Sequence, residues 1–365
     1  MTLSLVVNGT EFTNFTEASA KIAIDEAVNI FSFTATSNQP QGFPVAVGDE
    51  IEVLADENTI ITGFVMSLRG SHAPGRRDID IQGASKSVDV ADSKINSILF
   101  STPISLDDVI KNILSEIGSD ISVSNEVDDL ADFEESELIA AKPGQGAFSL
   151  MEQYARKRQV FIRSGSDGNF LISRNSGEES GLRLTSKIKD DDNNVKSASI
   201  TIDHNERFNN YSAISQQNQI GLAFLNEDPG AEKASDQSGK ATDDDIRASR
   251  SCIFVAENTT DNDGLTERAT WEANIRRARS LIYSAKVSEH TVDGQPWAVN
   301  KLVQVEDEWE GINAVMLISS IEFKYSEKGG STTDVICVAQ DSYTLAASEP
   351  QKQKSTNSLG SIFGG

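Results

Sequence analysis

The chain has 365 residues, with 32 Lys and Arg against 56 Asp and Glu, and a formal net charge of −24. This length predicts about two to three domains with real cores, and the acidic balance argues against binding of duplex DNA or anionic membranes, which requires clustered cations. No run approaches the roughly 20 apolar residues of a membrane span, and the first residues lack signal-peptide features, so we expect a soluble, unexported chain.

Short alternating runs between turn residues occupy the chain from Leu3 to Ile95 and predict antiparallel strands. The clearest are Leu5–Val7 before Asn8–Gly9, Glu50–Val53, Ile60–Leu68 and Asp78–Ile81, with a loop expected at His72–Gly75. A small barrel or sandwich is the economical solution, because closure removes exposed strand edges.

At Ser105 the apolar period changes from 2 to 3.6 and predicts an amphipathic helix that begins after Ser105 and ends at Gly118. A second helix is predicted over Gln145–Arg158. A hairpin is predicted to pair Val160–Ile162 with Asn169–Ile172 through a glycine-containing turn. Residues 100–178 are therefore expected to form a compact α/β unit between two β regions.

The last region is predicted to be β-rich with one long helix. Strands are expected at Ser199–Asp203 and Tyr211–Ser215, and residues 226–250 are expected to be a long mobile loop. A third helix is predicted over Leu265–Tyr283, with its arginines in ion pairs within the chain or between subunits rather than on nucleic acid. The final strands are expected to place Leu317, Ser319, Ile321, Phe323 and Tyr325 on one face and to turn at Lys328–Gly330 before Val335–Val338. The segment after Leu345 is expected to be disordered unless a partner orders it.

No motif in the sequence predicts catalysis or metal binding. Cys252 and Cys337 lie outside any CxxC or Cys/His spacing and are expected to be small buried hydrophobes. The three histidines, His72, His204 and His290, are too far apart for an HExxH site and are expected on the surface or in hydrogen bonds. No GxSxG, GxxxxGK[ST] or GxGxxG pattern occurs in a suitable context. We therefore expect no catalytic residue, no metal site and no cofactor.

The acidic clusters are interpreted as charged loops. Glu134, Glu135 and Glu137 could supply a carboxylate pair for glycoside hydrolysis, but an acidic loop is the simpler interpretation. Asp261–Gly264 fails the calcium-loop pattern, because the first and twelfth loop positions would be threonines; it is expected to cap the third helix. Asp190–Asp192 is expected to be a charged loop, and Trp271 and Trp297 are expected to anchor a core or an interface.

Several short blocks share the order and spacing of one known family. They are Val7–Gly9 with Phe12 and Phe15, Ile24–Asn29, Phe31–Phe33, Val47–Val53, Thr62–Val65, Ile81–Gly83, Ser85–Ser87, Asp89–Asp92, Arg268–Glu272, Gly294–Asn300 and Gly329–Thr333. Together they resemble the Mu-like baseplate hub proteins of contractile phage tails, over nearly all of residues 3–345. The blocks from Val47 to Asp92 look like successive barrel strands of that family. The family usually has Arg where this chain has Ala84, so an ion pair at that position is not expected.

The resemblance implies a mainly β fold with α+β insertions: two tube-like antiparallel β-barrel domains and a peripheral α/β domain. The implied boundaries are 1–97 for the first barrel, 98–180 for the α/β domain and 181–345 for the second barrel, which carries a loop and helix insertion at about 217–283. Residues 346–365 would be a flexible tail.

The resemblance also implies a structural function without catalysis. Such a hub is a homotrimer that forms a pseudo-sixfold ring, joins the hexameric tail tube to the trimeric central spike and leaves a channel that DNA crosses in transit. Further candidate partners are the tape-measure protein and other baseplate proteins, and the implied location is the tail baseplate of the virion, after assembly in the host cytoplasm without membrane anchoring. Acidic side chains on the channel wall would discourage adhesion of the genome.

The positions that carry the family motifs are expected to be structural. They are Asn8, Gly9, Asp25, Phe31, Gly48, Asp49, Gly63, Gly83, Lys86, Asp89, Arg268, Trp271, Glu272, Gly294, Pro296, Trp297, Asn300 and Gly330. Two alternative functions stay open at this point: the hub of a related contractile injection device, and a tail-associated peptidoglycan hydrolase.

Overall fold

A computed structural model of the chain describes residues 3–37, 44–128, 130–135, 137, 139–189, 193–215, 238–256 and 262–343. Within these ranges the fold is mainly β and contains four helices. Its main element is a 13-stranded sheet to which both the N-terminal and the C-terminal regions contribute. The tail at 346–365 and the charged loop at Asp190–Asp192 lie outside the described residues.

The N-terminal region supplies seven strands. They are β1 (Leu3–Val7), β2 (Thr10–Phe12), β3 (Glu17–Ala23), β4 (Ile30–Ser37), β5 (Glu50–Ala55), β6 (Asn58–Ala73) and β7 (Arg76–Ser85). The strands expected here are confirmed, but the loop expected at His72–Gly75 is shorter. His72 and Ala73 pair with Arg77 and Arg76, so only Pro74 and Gly75 form the turn. Gly75 has φ +79, a conformation that glycine adopts without strain.

The middle region packs small helices against short strands. Its elements are α1 (Ser87–Asp92), β8 (Lys94–Ile95), β9 (Ile98–Leu99), α2 (Leu106–Glu116), β10 (Val123–Asn125), β11 (Ala140–Ala141), β12 (Gln145–Gly146), α3 (Ala147–Lys157), β13 (Phe161–Ser164) and β14 (Phe170–Ser173). The helix predicted after Ser105 is confirmed, and the Ser105 hydroxyl accepts the Asp108 N–H at 3.1 Å. The second helix is confirmed with a later start. The assignment of Ser87 and Asp89–Asp92 to strands was wrong, because they form α1, whose Val90 is buried in the core of this region.

The C-terminal region returns to strands. Its elements are β15 (Glu179–Ser186), β16 (Val195–Ile202), β17 (Asn210–Ser215), β18 (Ser238–Thr242), β19 (Ser251–Ala256), α4 (Asn262–Ser280), β20 (Leu281–Val287), β21 (Thr291–Val292), β22 (Gln295–Pro296), β23 (Leu302–Asp307), β24 (Ile312–Ser326) and β25 (Gly330–Ala339). The third helix ends earlier than predicted, at Ser280, because Leu281–Val287 pairs with both β16 and β25.

Two further expectations for this region need correction. Of the loop expected at 226–250, the described part contains β18, which pairs with β17. In β24 a bulge between Ile318 and Ser320 shifts the alternation of side chains. Leu317 therefore packs in a different core cluster from Ile321 and Phe323, although the three were expected on one face.

The main sheet is continuous through both halves of the chain. Its hydrogen-bonded order is β16-β20-β25-β24-β3-β4-β7-β6-β5-β1-β2, and β23 joins β24 to the parallel strand β15. One core cluster lies against it and includes Leu5, Phe33 and Val53 together with Trp297 and Phe323. A second cluster fills the middle region, and a smaller one lies between α4 and the three-stranded sheet β18-β17-β19. No helix among the described residues is long and apolar enough to cross a membrane.

Candidate assembly surface

The seam between the two halves is the antiparallel pairing of β3 with β24. Seven residue pairs join the strands, from Ser320 opposite Ala23 to Ser326 opposite Glu17. Alternation places Ala18 and Ala20 of β3, with Ile321 and Phe323 of β24, in the buried core. The other face of the seam is polar, and both halves contribute residues to it.

This polar face carries hydroxyls and paired charges. A depression of about 490 Å³ lies across it, and its lining includes Ser19, Ser32, Thr34, Glu322 and Lys324. The Lys324 ammonium is 2.8 Å from Glu322 and 2.8 Å from Asp334. Burial opposes the charge, but hydrogen bonds to the two carboxylates raise the pKa of Lys324. The charged residues that line the depression are two glutamates, Glu17 and Glu322, and two lysines, Lys286 and Lys324, so the depression is close to locally neutral despite the acidity of the whole chain.

Two motif glycines allow three strands to meet closely in the N-terminal half. A Cβ on Gly63 of β6 would lie 1.9 Å from the carbonyl oxygen of Ala84. A Cβ on Gly83 of β7 would lie 2.1 Å from the Phe31 ring of β4. Neither position has room for a side chain, so these glycines are required by packing.

The middle region is attached to the first half by polar contacts. Lys86, which precedes α1, forms an ion pair with Glu50 at the start of β5. The Thr62 hydroxyl donates to the Ser166 carbonyl at 2.8 Å, and the Asn29 amide donates to the Ser164 carbonyl at 3.4 Å. The hairpin β13–β14 is thereby held against the first half of the main sheet.

The four arginines of α4 form the predicted ion pairs, and the partners are all within the chain. Arg268 and Arg276 contact Glu272 at 3.0 Å and 2.8 Å, Arg277 contacts Asp341 at 3.4 Å, and Arg279 contacts Asp25 at 3.5 Å. Burial opposes the charge on Glu272, but the positive charge of Arg268 and hydrogen bonds from both neighbouring arginines lower its pKa. Trp271 lies on the buried side of α4, 6.5 Å from the Tyr343 ring.

The remaining motif residues form turns and local supports. Asn8 and Gly9 both have positive φ in the turn between β1 and β2, Gly294 has positive φ in the turn between β21 and β22, and Gly330 has positive φ at the first residue of β25. Gly48 has φ +92 beside Asp49, whose carboxylate accepts the Ala46 N–H at 2.7 Å. Asp89 lies in the first turn of α1, Pro296 lies in β22, and the buried Asn300 amide donates to the Arg174 carbonyl at 2.9 Å. No known site unites these residues, so their shared structural role stays a prediction.

Trp297 and His290 lie in the core on the C-terminal side. Trp297 is 2% exposed, which confirms its predicted burial. His290 is fully buried, and its Nδ1 lies 3.0 Å from the Thr333 hydroxyl. That hydroxyl donates to the Glu289 carbonyl, so it accepts from His290 Nδ1–H and leaves the buried Nε2 without a hydrogen bond. Burial lowers the pKa of His290 to about 4.

Glu137, a member of the acidic cluster, is held by contacts with neighbouring side chains and backbone. Its carboxylate contacts Lys157 at 3.1 Å and Arg158 at 2.7 Å and accepts the Glu134 N–H at 2.9 Å. Burial opposes its charge, but these partners lower the pKa of Glu137. In the part of the chain that the structure describes, no group of three or more His, Cys, Asp and Glu is arranged to hold a metal ion.

Sequence reasoning missed Trp309, an exposed tryptophan in the turn between β23 and β24. Its side chain is 72% exposed, the largest value among the exposed large hydrophobic residues of the described chain. The signal was available, because a tryptophan between two glutamates in a hairpin turn cannot be a core residue of the flanking strands.

Comparisons with known proteins agree with this architecture. Residues 2–85 match a family model described as Mu phage baseplate assembly protein GpP-like, N-terminal. The chain is 22% identical to the baseplate hub protein gp44 of Escherichia phage Mu, over 97% of this chain and 92% of that protein. This chain resembles the Mu-like baseplate hub proteins. The resemblance predicted from the sequence blocks is thus confirmed.

Two solved structures share the fold of this chain. The 43 kDa tail protein of prophage MuSo2 from Shewanella oneidensis has a TM-score of 0.79 and 23% identity, and the match covers 94% of this chain and all of that one. The tail protein from Neisseria meningitidis MC58 has a TM-score of 0.80 and 18% identity, with coverage of 94% and 97%. The mainly β fold class predicted from the sequence is confirmed by these matches and by the strands themselves.

Proposed function

We propose that the chain is a structural subunit of the baseplate hub of a contractile phage tail. The observation that carries the proposal is the likeness to the hub protein of phage Mu along nearly the whole length of both chains. In this proposal three copies form a pseudo-sixfold ring that joins the hexameric tail tube to the trimeric spike. The protein resides in the tail baseplate of the virion after assembly in the host cytoplasm.

The shared sheet supports a ring of this kind. Each chain contributes two β regions joined through β3 and β24, so three chains supply six such regions. We place the polar face of the seam toward the channel, where its hydroxyls and paired charges offer DNA no cluster of free cations. In this arrangement DNA would pass a nearly neutral surface where the seam lines the channel, and not a uniformly acidic wall.

The function requires no catalysis. The acidic cluster residue that would be chosen for glycoside hydrolysis, Glu137, is engaged by Lys157 and Arg158. A general acid needs a raised pKa near the working pH, whereas the pKa of Glu137 is lowered. These contacts support a structural role for this carboxylate.

The test is assembly with purified partners. Sedimentation of the chain alone is expected to give a particle of three times 39.5 kDa, and mixing with the tail tube protein or the central spike protein of the same phage is expected to shift it to a larger complex. The tape-measure protein and other baseplate proteins are secondary candidates for the same measurement.

A chain that binds neither tube nor spike protein under any of these conditions would contradict the proposal. Degradation of purified peptidoglycan by the chain would contradict the absence of catalysis. A Glu137→Gln variant is the control for that assay, since it removes the carboxylate of the acidic cluster that is most enclosed.

A further inference from the structure

The turn between β23 and β24 presents one large apolar side chain to solvent. The turn spans residues 308–311 and is exposed throughout. Trp309 at its tip is 72% exposed, and Ile188, which follows β15, is 54% exposed. The two segments are joined, because the Ile188 N–H donates to the Glu308 carboxylate at 2.8 Å and the Glu308 N–H donates to the Ser186 carbonyl at 2.9 Å.

This turn is held by a buried carboxylate. Asp307, the last residue of β23, is buried, and its Oδ1 accepts the N–H groups of Trp309 and Glu310, both at 3.0 Å. Its Oδ2 accepts the Tyr283 hydroxyl at 2.7 Å. Gly311 closes the turn with φ +68. The backbone under Trp309 is therefore fixed before any partner arrives, which lowers the ordering cost of binding.

The residues beside Trp309 define the partner's chemistry. Tryptophan is strongly enriched among residues that dominate binding energy, and it needs a desolvated pocket to do so. Glu308 and Glu310 flank it and are both exposed. A complementary surface is thus an apolar pocket with lysine or arginine on its rim. A second copy of this chain is a poorer fit, because a chain with 32 Lys and Arg against 56 Asp and Glu offers few basic side chains to border a pocket for an acidic turn.

We propose that the Trp309 turn, residues 308–311 with Ile188, is a docking site for a different protein that offers an apolar pocket bordered by basic side chains. The inference rests on the proposed function in one respect: the partner is sought among the proteins that meet the hub.

The experiment measures binding of purified tail tube protein and purified spike protein to four forms of the full-length chain. They are the wild type, Trp309→Ala, the double variant Glu308→Gln with Glu310→Gln, and Ile253→Ala. Ile253 is 69% exposed in β19 and serves as the matched control for loss of an exposed apolar side chain. Thermal melting of each form checks that the fold is retained.

Trp309→Ala is expected to weaken binding to one of the two partners about 30-fold or more, the size of a dominant interface residue. The glutamine double variant is expected to weaken it less and to reduce its dependence on salt. Ile253→Ala is expected to bind as the wild type does. A second readout uses fluorotryptophan in the chain and an unlabelled partner: the ¹⁹F resonance of Trp309 should shift on binding, while those of the buried Trp271 and Trp297 should not.

Each contrary result has a separate meaning. If the wild type binds a partner and Trp309→Ala binds it equally well, the docking site is overturned while the proposed function stands. If Trp309→Ala instead lowers the mass of the chain's own oligomer, the occupant is a second copy and the proposal is wrong. If the wild type binds neither protein, the proposed function fails and the docking site fails with it.

Discussion

Gly63 of β6 and Gly83 of β7 lie where a Cβ would collide with a neighbouring strand. The Gly63 position faces the Ala84 backbone, which cannot move without breaking the pairing of β7 with β4 and β6. The sequence marks these glycines only as members of family blocks. The reason for them is a contact between strands, which the spacing of residues along one strand does not reveal.

Gly63→Ala is expected to destabilise the chain by about 1–3 kcal/mol or more, because an extra methyl group must displace backbone in a packed site. Gly70→Ala on the same strand is the matched control, since a Cβ there meets nothing within 4 Å. The measurement is the free energy of unfolding in urea. Equal stability of the two variants would refute the packing argument.

His290 is expected to make stability depend on pH in a defined window. Its pKa is lowered from 6.5 to about 4 by burial, so the unfolded chain takes up a proton between these values and the folded chain does not. The free energy of unfolding is therefore unaffected by this group above pH 6.5 and decreases as the pH falls toward 4, by up to about 3 kcal/mol.

The measurement for His290 is the urea unfolding free energy between pH 4 and pH 7 for the wild type and two variants. His290→Asn is expected to flatten the decline with falling pH, because the amide can still donate to Thr333 and does not titrate. His72→Asn, at an exposed site, should keep the decline of the wild type. Parallel curves for the wild type and His290→Asn would show that His290 is not held neutral.

Local sequence patterns predicted a helix correctly where residues close in sequence determine its ends. Helix α2 follows its sequence signals at both ends, from the Ser105 cap to Gly118 with φ +69. Helix α4 was predicted to end three residues too late, at Tyr283, because the apolar spacing continues through Ile282 while the backbone there pairs with β16 and β25. Competition from distant strands cannot be read from a local period.

Helix α4 depends on Glu272, which holds two of its arginines. Glu272→Gln is expected to cost about 1–3 kcal/mol at neutral pH, since two charge-assisted contacts are weakened. The pKa of Glu272 is below its usual value of 4.5, so its contribution is present above that pH and is lost as pH falls through the lower folded value. Urea unfolding at pH 7 and at pH 3 should show the difference between variant and wild type shrinking at the acidic end.

Glu267→Gln is the control on the same helix, because Glu267 is exposed. It is expected to leave stability within about 0.5 kcal/mol of the wild type, as surface substitutions usually do. A loss as large as that of Glu272→Gln would mean that helix charge in general, and not the Arg268–Glu272–Arg276 contacts, stabilises α4.

The whole molecule is held together by a strand pairing between residues about 300 positions apart in sequence, such as Ile22 of β3 with Ile321 of β24. The sequence predicted two β regions and a middle α/β region, and this division stays a prediction. It did not predict that β3 and β24 pair, because each strand alone is compatible with an edge position.

The shared ladder predicts that both halves of the main sheet open together. In hydrogen exchange of the native chain, amides of β3 and β24 are expected to share one opening free energy with the core strands β4 and β25. Exchange of the β3 amides at a markedly lower free energy than those of β24 would show that the halves separate before either unfolds. The helices α2 and α3 provide an internal reference, because they belong to another core cluster.

The seam has a mechanical consequence for the whole chain. Its seven pairs lie side by side along β3 and β24, with hydrogen bonds perpendicular to the strands. A pull along the strand axis strains all the bonds at once in shear, whereas a pull across it would peel them apart one after another. The joint between the two halves is therefore stiff in one direction and weak in the other, and the direction of β24 sets the axis along which the chain can carry tension.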